Sequence, residues 1–170
     1  MGAYTYLEVD YGNTISVTDE RGAKLGKGLD AFLTVYSTIE YLGKESPELR
    51  WFERLENASG GDIRVLTRII YSGDWNYTTK DYDKFSKDYV GYLPLSEEDF
   101  IRTIKKIEET WESIDVVNAA VNELLDLLEP IEGETHWFSP VDTTRSFKVL
   151  RDALQLAPSR GAKKVRLNFR

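Results

Sequence analysis

The sequence predicts a single α+β domain over residues 1–170. An alternating N-terminal hairpin and further strands form a mixed sheet, packed against several amphipathic helices and closed by a C-terminal strand–helix–strand. Three observations carry this. Tyr4 to Tyr11 alternates and is followed by Gly12-Asn13, a pair suited to a two-residue hairpin turn. Several later segments place apolar residues three and four apart, the period of an amphipathic helix. Val165, Leu167 and Phe169 alternate again at the far end.

In the hairpin, Leu7, Val9 and Tyr11 share one face and Tyr6, Glu8 and Asp10 the other, with Thr14 to Thr18 as the return strand. Asp19 to Gly28 reads as a loop holding Gly22, Gly26 and Gly28. A helix is expected from about Leu29 to Leu42, with Phe32, Leu33, Tyr36 and Ile39 on its apolar stripe and Gly43 as its stop. Ser46-Pro47-Glu48 has the pattern of an N-cap followed by a first-turn proline, and opens a short helix burying Trp51 or Phe52 and Leu55. Asn57 to Gly61 breaks it. Ile63 to Tyr71 is rich in β-branched residues and favours a strand, with a helix as the alternative. Trp75 to Thr78 is a candidate return strand.

From Lys80 to Val90, Tyr82, Phe85 and Tyr89 have helical spacing, ended by Gly91 and Pro94. Ser96-Glu97-Glu98-Asp99 has the form of a cap with first-turn acids. Phe100, Ile104, Ile107, Trp111 and Ile114 follow on one stripe, then Val117, Val121, Leu124, Leu125 and Leu128 up to Pro130. The two stripes predict an antiparallel helix pair or one long bent helix. His136 to Ser139 is expected to be a strand, and Thr143 or Thr144 to cap a helix carrying Phe147, Leu150 and Leu154. After the Pro158–Gly161 break comes the final strand, for which a parallel partner with a right-handed crossover is expected.

Composition narrows function more than motifs do. Apolar residues make up 41% and charged residues 30%, a globular balance, and the 12% aromatic share argues against disorder. Without cysteine there is no disulfide framework, Cys-type zinc site or thiol nucleophile. No run approaches a membrane span and the N-terminus has no signal-type pattern, so a cytoplasmic location is expected. The net charge of −7 divides unevenly: residues 1–135 carry 14 Lys/Arg against 27 Asp/Glu, and residues 136–170 carry 8 against 2. An acidic body disfavours nucleic acid and anionic membrane.

Two glycine segments bear on ligand chemistry. Asp10-Tyr11-Gly12-Asn13-Thr14 resembles, over five residues, the first phosphate loop of the actin-like kinases and ATPases. The resemblance implies Asp10 near Mg²⁺, with Gly12, Asn13 and Thr14 approaching phosphate. Those families also use a second acid–glycine loop and two lobes, and neither is evident in 170 residues. The same five residues form an ordinary hairpin turn. Gly22 to Gly28 carries Lys24 and Lys27 and would suit an anion. Its spacing departs from a P-loop by one residue and lacks the following hydroxyl. Asn57 to Asp62 reads as a turn rather than a binding loop. His136 is the only histidine, and no Gly-x-Ser-x-Gly elbow accompanies it.

The reading favoured by sequence is therefore a non-catalytic acidic module, without a cofactor or metal, that binds another protein, expected to be basic, and inhibits or neutralises it. Its acidic surface would be residues 96–134, which hold 12 Asp/Glu and 3 Lys/Arg. Glu97, Glu98, Glu108, Glu109 and Glu112 are the interface candidates, joined by Tyr82 and Tyr89 from the aromatic-rich stretch before them. That stretch also suits a half-buried core face. The alternative is a small enzyme or binder of a phosphorylated or nucleotide ligand, using Asp10, Gly12, Asn13, Thr14, Lys24 and Lys27. Self-association into a homo-oligomer, basic end against acidic helices, is a third possibility.

Overall fold

The computed structural model describes residues 5–10, 15–17, 26–72, 75, 77–88, 95–128 and 139–169. Among them the order is β1 (Thr5–Asp10), β2 (Ile15–Val17), α1 (Gly26–Ser37), α2 (Pro47–Ala58), α3 (Val65–Arg68), β3 (Ile70–Ser72), α4 (Tyr82–Asp88), α5 (Glu97–Glu108), β4 (Glu112–Ser113), α6 (Ile114–Leu128), α7 (Pro140–Leu156) and β5 (Lys164–Phe169). Short 3₁₀ turns follow α1 at Ile39–Tyr41 and α7 at Ala157–Arg160. The class is the mixed α+β fold that the periodicities imply.

The sheet runs β2-β1-β5-β3, so the first and last strands lie side by side at its centre. β1 pairs antiparallel with β2 and with Val165–Phe169 of β5. The other edge of β5 is shared: β3 lies parallel to Leu167–Phe169, and β4 antiparallel to Lys164 and Val165. Both edges of β5 are thus taken, and its parallel partner among the described residues is β3. The expected strand at 136–138 lies outside the described residues.

Strand alternation sorts the sheet into two faces. Leu7 and Val9 of β1 and Val165 and Leu167 of β5 join a core built with α1, α2, α6 and α7. At its centre Phe32 meets Phe52 and Phe147, both with ring centroids 5.2 Å away, and Trp51 at 6.0 Å. Tyr36 stacks on Phe52 at 4.5 Å. A smaller cluster of Phe85, Phe100 and Ile104 joins α4 to α5, with Trp75, Tyr77 and Tyr82 packed against it.

Caps follow the sequence where a hydroxyl precedes an acidic or proline-led first turn. Ser46 Oγ accepts from the Leu49 amide and Ser96 Oγ from the Asp99 amide. α7 begins earlier than expected: Ser139 is its N-cap, accepting from the Asp142 amide, with Pro140 in the first turn. Thr143 is inside the helix and bonds back to the Ser139 carbonyl at 2.8 Å.

Four local expectations are revised. Residues 63–71 are neither one strand nor one helix: α3 is a single turn burying Val65 and Leu66, and β3 follows at once. Trp75 and Tyr77 form no strand and pack into the smaller cluster. The stripes on either side of Trp111 are separated by β4 rather than joined in a bent helix or by a simple helical hairpin. The Thr110 hydroxyl donates to the Ile107 carbonyl at 2.6 Å, closing α5, and the backbone turns to pair Glu112 and Ser113 with β5. α1 also starts before Leu29, because Gly28 permits its first turn to lie against α7. A Cβ there would stand 2.4 Å from the Asp142 carbonyl carbon and oxygen.

Candidate functional site

On the second face of the sheet, period-2 reasoning expects solvated side chains at Glu8, Arg166 and Asn168. All three are buried. Glu8 and Arg166 are direct cross-strand partners, and Arg166 Nε donates to Glu8 Oε2 at 2.6 Å. Glu8 Oε1 accepts from the Tyr71 hydroxyl at 2.5 Å and from Asn168 Nδ2 at 3.0 Å. The Arg166 guanidinium lies between two rings, 4.3 Å from the centroids of Tyr71 and Trp111. Its Nη1 donates to the Ile107 carbonyl at 3.2 Å, so a cation also satisfies the C-terminal end of α5.

This is the most concentrated buried chemistry among the described residues, and sequence reasoning did not single it out. Glu8 and Arg166 stand 158 positions apart, so only the β1–β5 pairing makes them neighbours. The one available signal was a charged residue at matching places in the first and last strands. Chemically the group is closed. Both Glu8 oxygens are committed to internal donors, which suits a structural pin rather than an acid–base pair open to a substrate. The Asn168 Oδ1 atom is buried without a hydrogen-bond partner among the described residues.

Of the candidate ligand residues, Asp10 and the backbone of Lys27 lie among the described residues. Asp10 ends β1 beside β2. Lys27 stands one turn before Asp30, and Asp30 accepts a hydrogen bond from the Thr5 hydroxyl at the opposite end of β1. Thr5 and Asp10 are five residues apart in an extended strand, about 17 Å. Gly12, Asn13, Thr14 and Lys24 lie outside the described residues, as do Tyr89 and His136. Burial pushes the Asp30 carboxyl up, against the hydrogen bonds from Thr5.

The interface candidates divide by what they touch. Glu97, Glu98, Glu108 and Glu109 are exposed. Arg102 binds Glu98 at 3.1 Å and Asp99 at 2.8 Å, offsetting the acids at the start of α5. Glu112 is half-buried and accepts from the Ser113 amide at 2.7 Å. Tyr82 is turned into its own fold: its hydroxyl donates to the Leu95 carbonyl at 2.9 Å and its ring lies 5.6 Å from Phe100. The Asn57–Asp62 loop holds an internal carboxylate. Glu123 Oε1 accepts from the Gly60 and Gly61 amides at 2.6 and 3.0 Å. The Ser59 hydroxyl, followed by those two amides, holds the Glu123 carboxyl below its ordinary range.

Among the described residues, no group of three or more His, Asp or Glu side chains has the geometry of a metal site. No helix of the described residues is long and apolar enough to cross a membrane. In comparison with known proteins, no family model, curated protein or solved structure matches this chain.

Proposed function

We propose that this chain is a non-catalytic protein-binding module whose partner is basic, and that it acts by occupying or neutralising that partner's cationic surface. One observation carries the reading. From residue 107 to residue 144 the sequence has ten Asp/Glu and no Lys or Arg. Within that stretch Glu108, Glu109, Asp115 and Asp126 are exposed. Glu112 and Glu123 are tied to backbone amides of the fold and Asp142, also exposed, is paired with Arg145, so Glu108, Glu109, Asp115 and Asp126 are the acids this reading assigns to the partner. A field of one sign speeds encounter with a cationic protein and makes the association salt-sensitive.

The test is a low-salt capture from the source lysate, run in parallel with the wild-type chain and a Glu108→Lys/Glu109→Lys/Asp115→Lys variant. A basic protein retained stoichiometrically by the wild type, released by a salt step and absent from the variant supports the reading. Equal retention by both baits, or retention indifferent to salt, rejects it.

A further inference from the structure

Independently of the binding reading, we infer that α4 and α5 form a strap over the polar face of the sheet. Arg166 is its latch, and the strap detaches and unfolds as one unit while the main core stays folded.

The strap has its own small core. Phe85 of α4 packs with Phe100 and Ile104 of α5, and the Phe85 and Phe100 ring centroids are 4.7 Å apart. Among the described residues this cluster is separate from the main one, which is built on β1, β5, α1, α2, α6 and α7. A shared cluster makes α4 and α5 rise and fall together. It is too small to hold helices of seven and twelve residues once they leave the sheet.

The sheet side is complete without the strap. Glu8 accepts from Arg166 Nε, the Tyr71 hydroxyl and Asn168 Nδ2, and none of those bonds uses a residue of α4 or α5. What joins the two sides is polar. Arg166 Nη1 donates to the Ile107 carbonyl at 3.2 Å, and the Trp111 ring, on the turn that leaves α5, lies 4.3 Å from the guanidinium. Ile107 is buried but belongs to neither apolar cluster. A cation–π pair and a charge-assisted hydrogen bond hold this contact, not a shared apolar core, so water can replace much of it.

Opening also returns water to a buried ion pair, whose desolvation opposes closure. Asn168 Oδ1, buried without a hydrogen-bond partner among the described residues, is a further group that water would satisfy. Beyond Trp111 the chain is fastened. Glu112 and Ser113 pair with β5, and the Ile114 amide donates to the Lys163 carbonyl at 3.0 Å. Detachment therefore stops at the Trp111–Glu112 junction. Openings of this size lie between fraying and global unfolding, and amide exchange resolves them.

The experiment is native-state amide hydrogen exchange, read by NMR at low denaturant, on the full chain and two variants. In the wild type, the amides of α5 with those of Thr110 and Trp111 should exchange through one opening. Its denaturant dependence should be smaller than that of β1, β5 and α6, because less surface is exposed. Val121→Ala weakens the main core, which the open form retains. It should speed exchange in β1, β5 and α6 and leave α5 unchanged. Trp111→Leu weakens the closed form against both the open and the unfolded forms. It should speed α5 exchange about tenfold, and exchange in β1, β5 and α6 by the same factor. A single denaturant dependence shared by α5 and β5 in the wild type overturns the inference. So does a Val121→Ala variant in which α5 speeds up as much as β5, or a Trp111→Leu variant in which α5 is unchanged.

Discussion

Arg166 Nε donates to Glu8 Oε2 at 2.6 Å across the β1–β5 register, with the two side chains 5% and 2% exposed. A buried ion pair is expensive to desolvate, and its removal is asymmetric. Taking away one partner leaves the other charged and unpaired. Taking away both leaves only a packing problem.

Glu8→Met alone and Arg166→Met alone should therefore each destabilise the chain by about 3–5 kcal/mol. The double variant should be markedly less destabilised than the sum of the two. Urea unfolding of all four proteins closes the cycle. Additive single effects would show that the pair is not coupled. Arg166→Lys should also be poorly tolerated, since an ammonium cannot donate from Nε to Glu8 while lying flat between Tyr71 and Trp111.

Gly28 gives a second prediction, in which two physical effects oppose each other. Alanine in a helix is favoured over glycine by about 1 kcal/mol. Its Cβ at position 28, however, would stand 2.4 Å from Asp142 backbone atoms and 2.7 Å from the Thr143 amide nitrogen. Backbone cannot rotate aside as a side chain can, so α1 and α7 must separate. Gly28→Ala should lower stability by about 1–3 kcal/mol. Gly43→Ala, where a Cβ meets nothing within 4 Å, is the matched control and should change little. Thermal unfolding of the two variants against wild type distinguishes a tight crossing from a permissive one.

Carboxylate titration supplies a third. The Arg64 guanidinium holds Glu56 below its ordinary range, Arg68 does the same for Asp62, and Ser59 with the Gly60 and Gly61 amides does so for Glu123. Each contributes stability that is present above its unfolded-state pKa and lost as pH falls through its lower folded value. Asp30 has the opposite sign. Its pKa is raised by burial, so the native state is relatively favoured while it is protonated and loses that advantage as pH rises through the folded value. In a carboxyl-detected NMR titration Asp30 should titrate above the usual aspartate value, and Glu56, Asp62 and Glu123 below theirs. Glu123→Gln should also speed hydrogen exchange at the Gly60 and Gly61 amides, which it now binds. An Asp30 midpoint at or below the reference value would contradict its burial.

Local signals were legible wherever one residue's own chemistry decides the backbone. Ser46 and Ser96 cap because a hydroxyl followed by first-turn acids or proline satisfies orphan amides without help from elsewhere. The Phe32 stripe and the Leu7/Val9 alternation carry their period within a few residues. Trp111 shows where such reading stops. It has helical spacing with Ile104 and Ile107, yet α5 ends at Glu108 and its ring covers Arg166. Periodicity reports that a side chain is wanted inside, not which element delivers it. Tyr82 shows the same ambiguity in the candidate interface: its hydroxyl bond to the Leu95 carbonyl makes it part of the α4–α5 packing.

The sequence by itself determined the α+β class, the acidic character, the caps and the division of β1 into an apolar and a polar face. Each rests on neighbours within about one or two turns of chain. Only the tertiary structure decided that the first and last strands lie side by side at the centre of the sheet, and that the polar face of β1 is covered rather than solvated. Only it decided that Gly28 lies against the Asp142 backbone of α7. The reason is contact at long sequence separation. A glutamate at position 8 has no preference for an arginine at position 166 until strand pairing places them together and Trp111 shuts out the water that would otherwise solvate both.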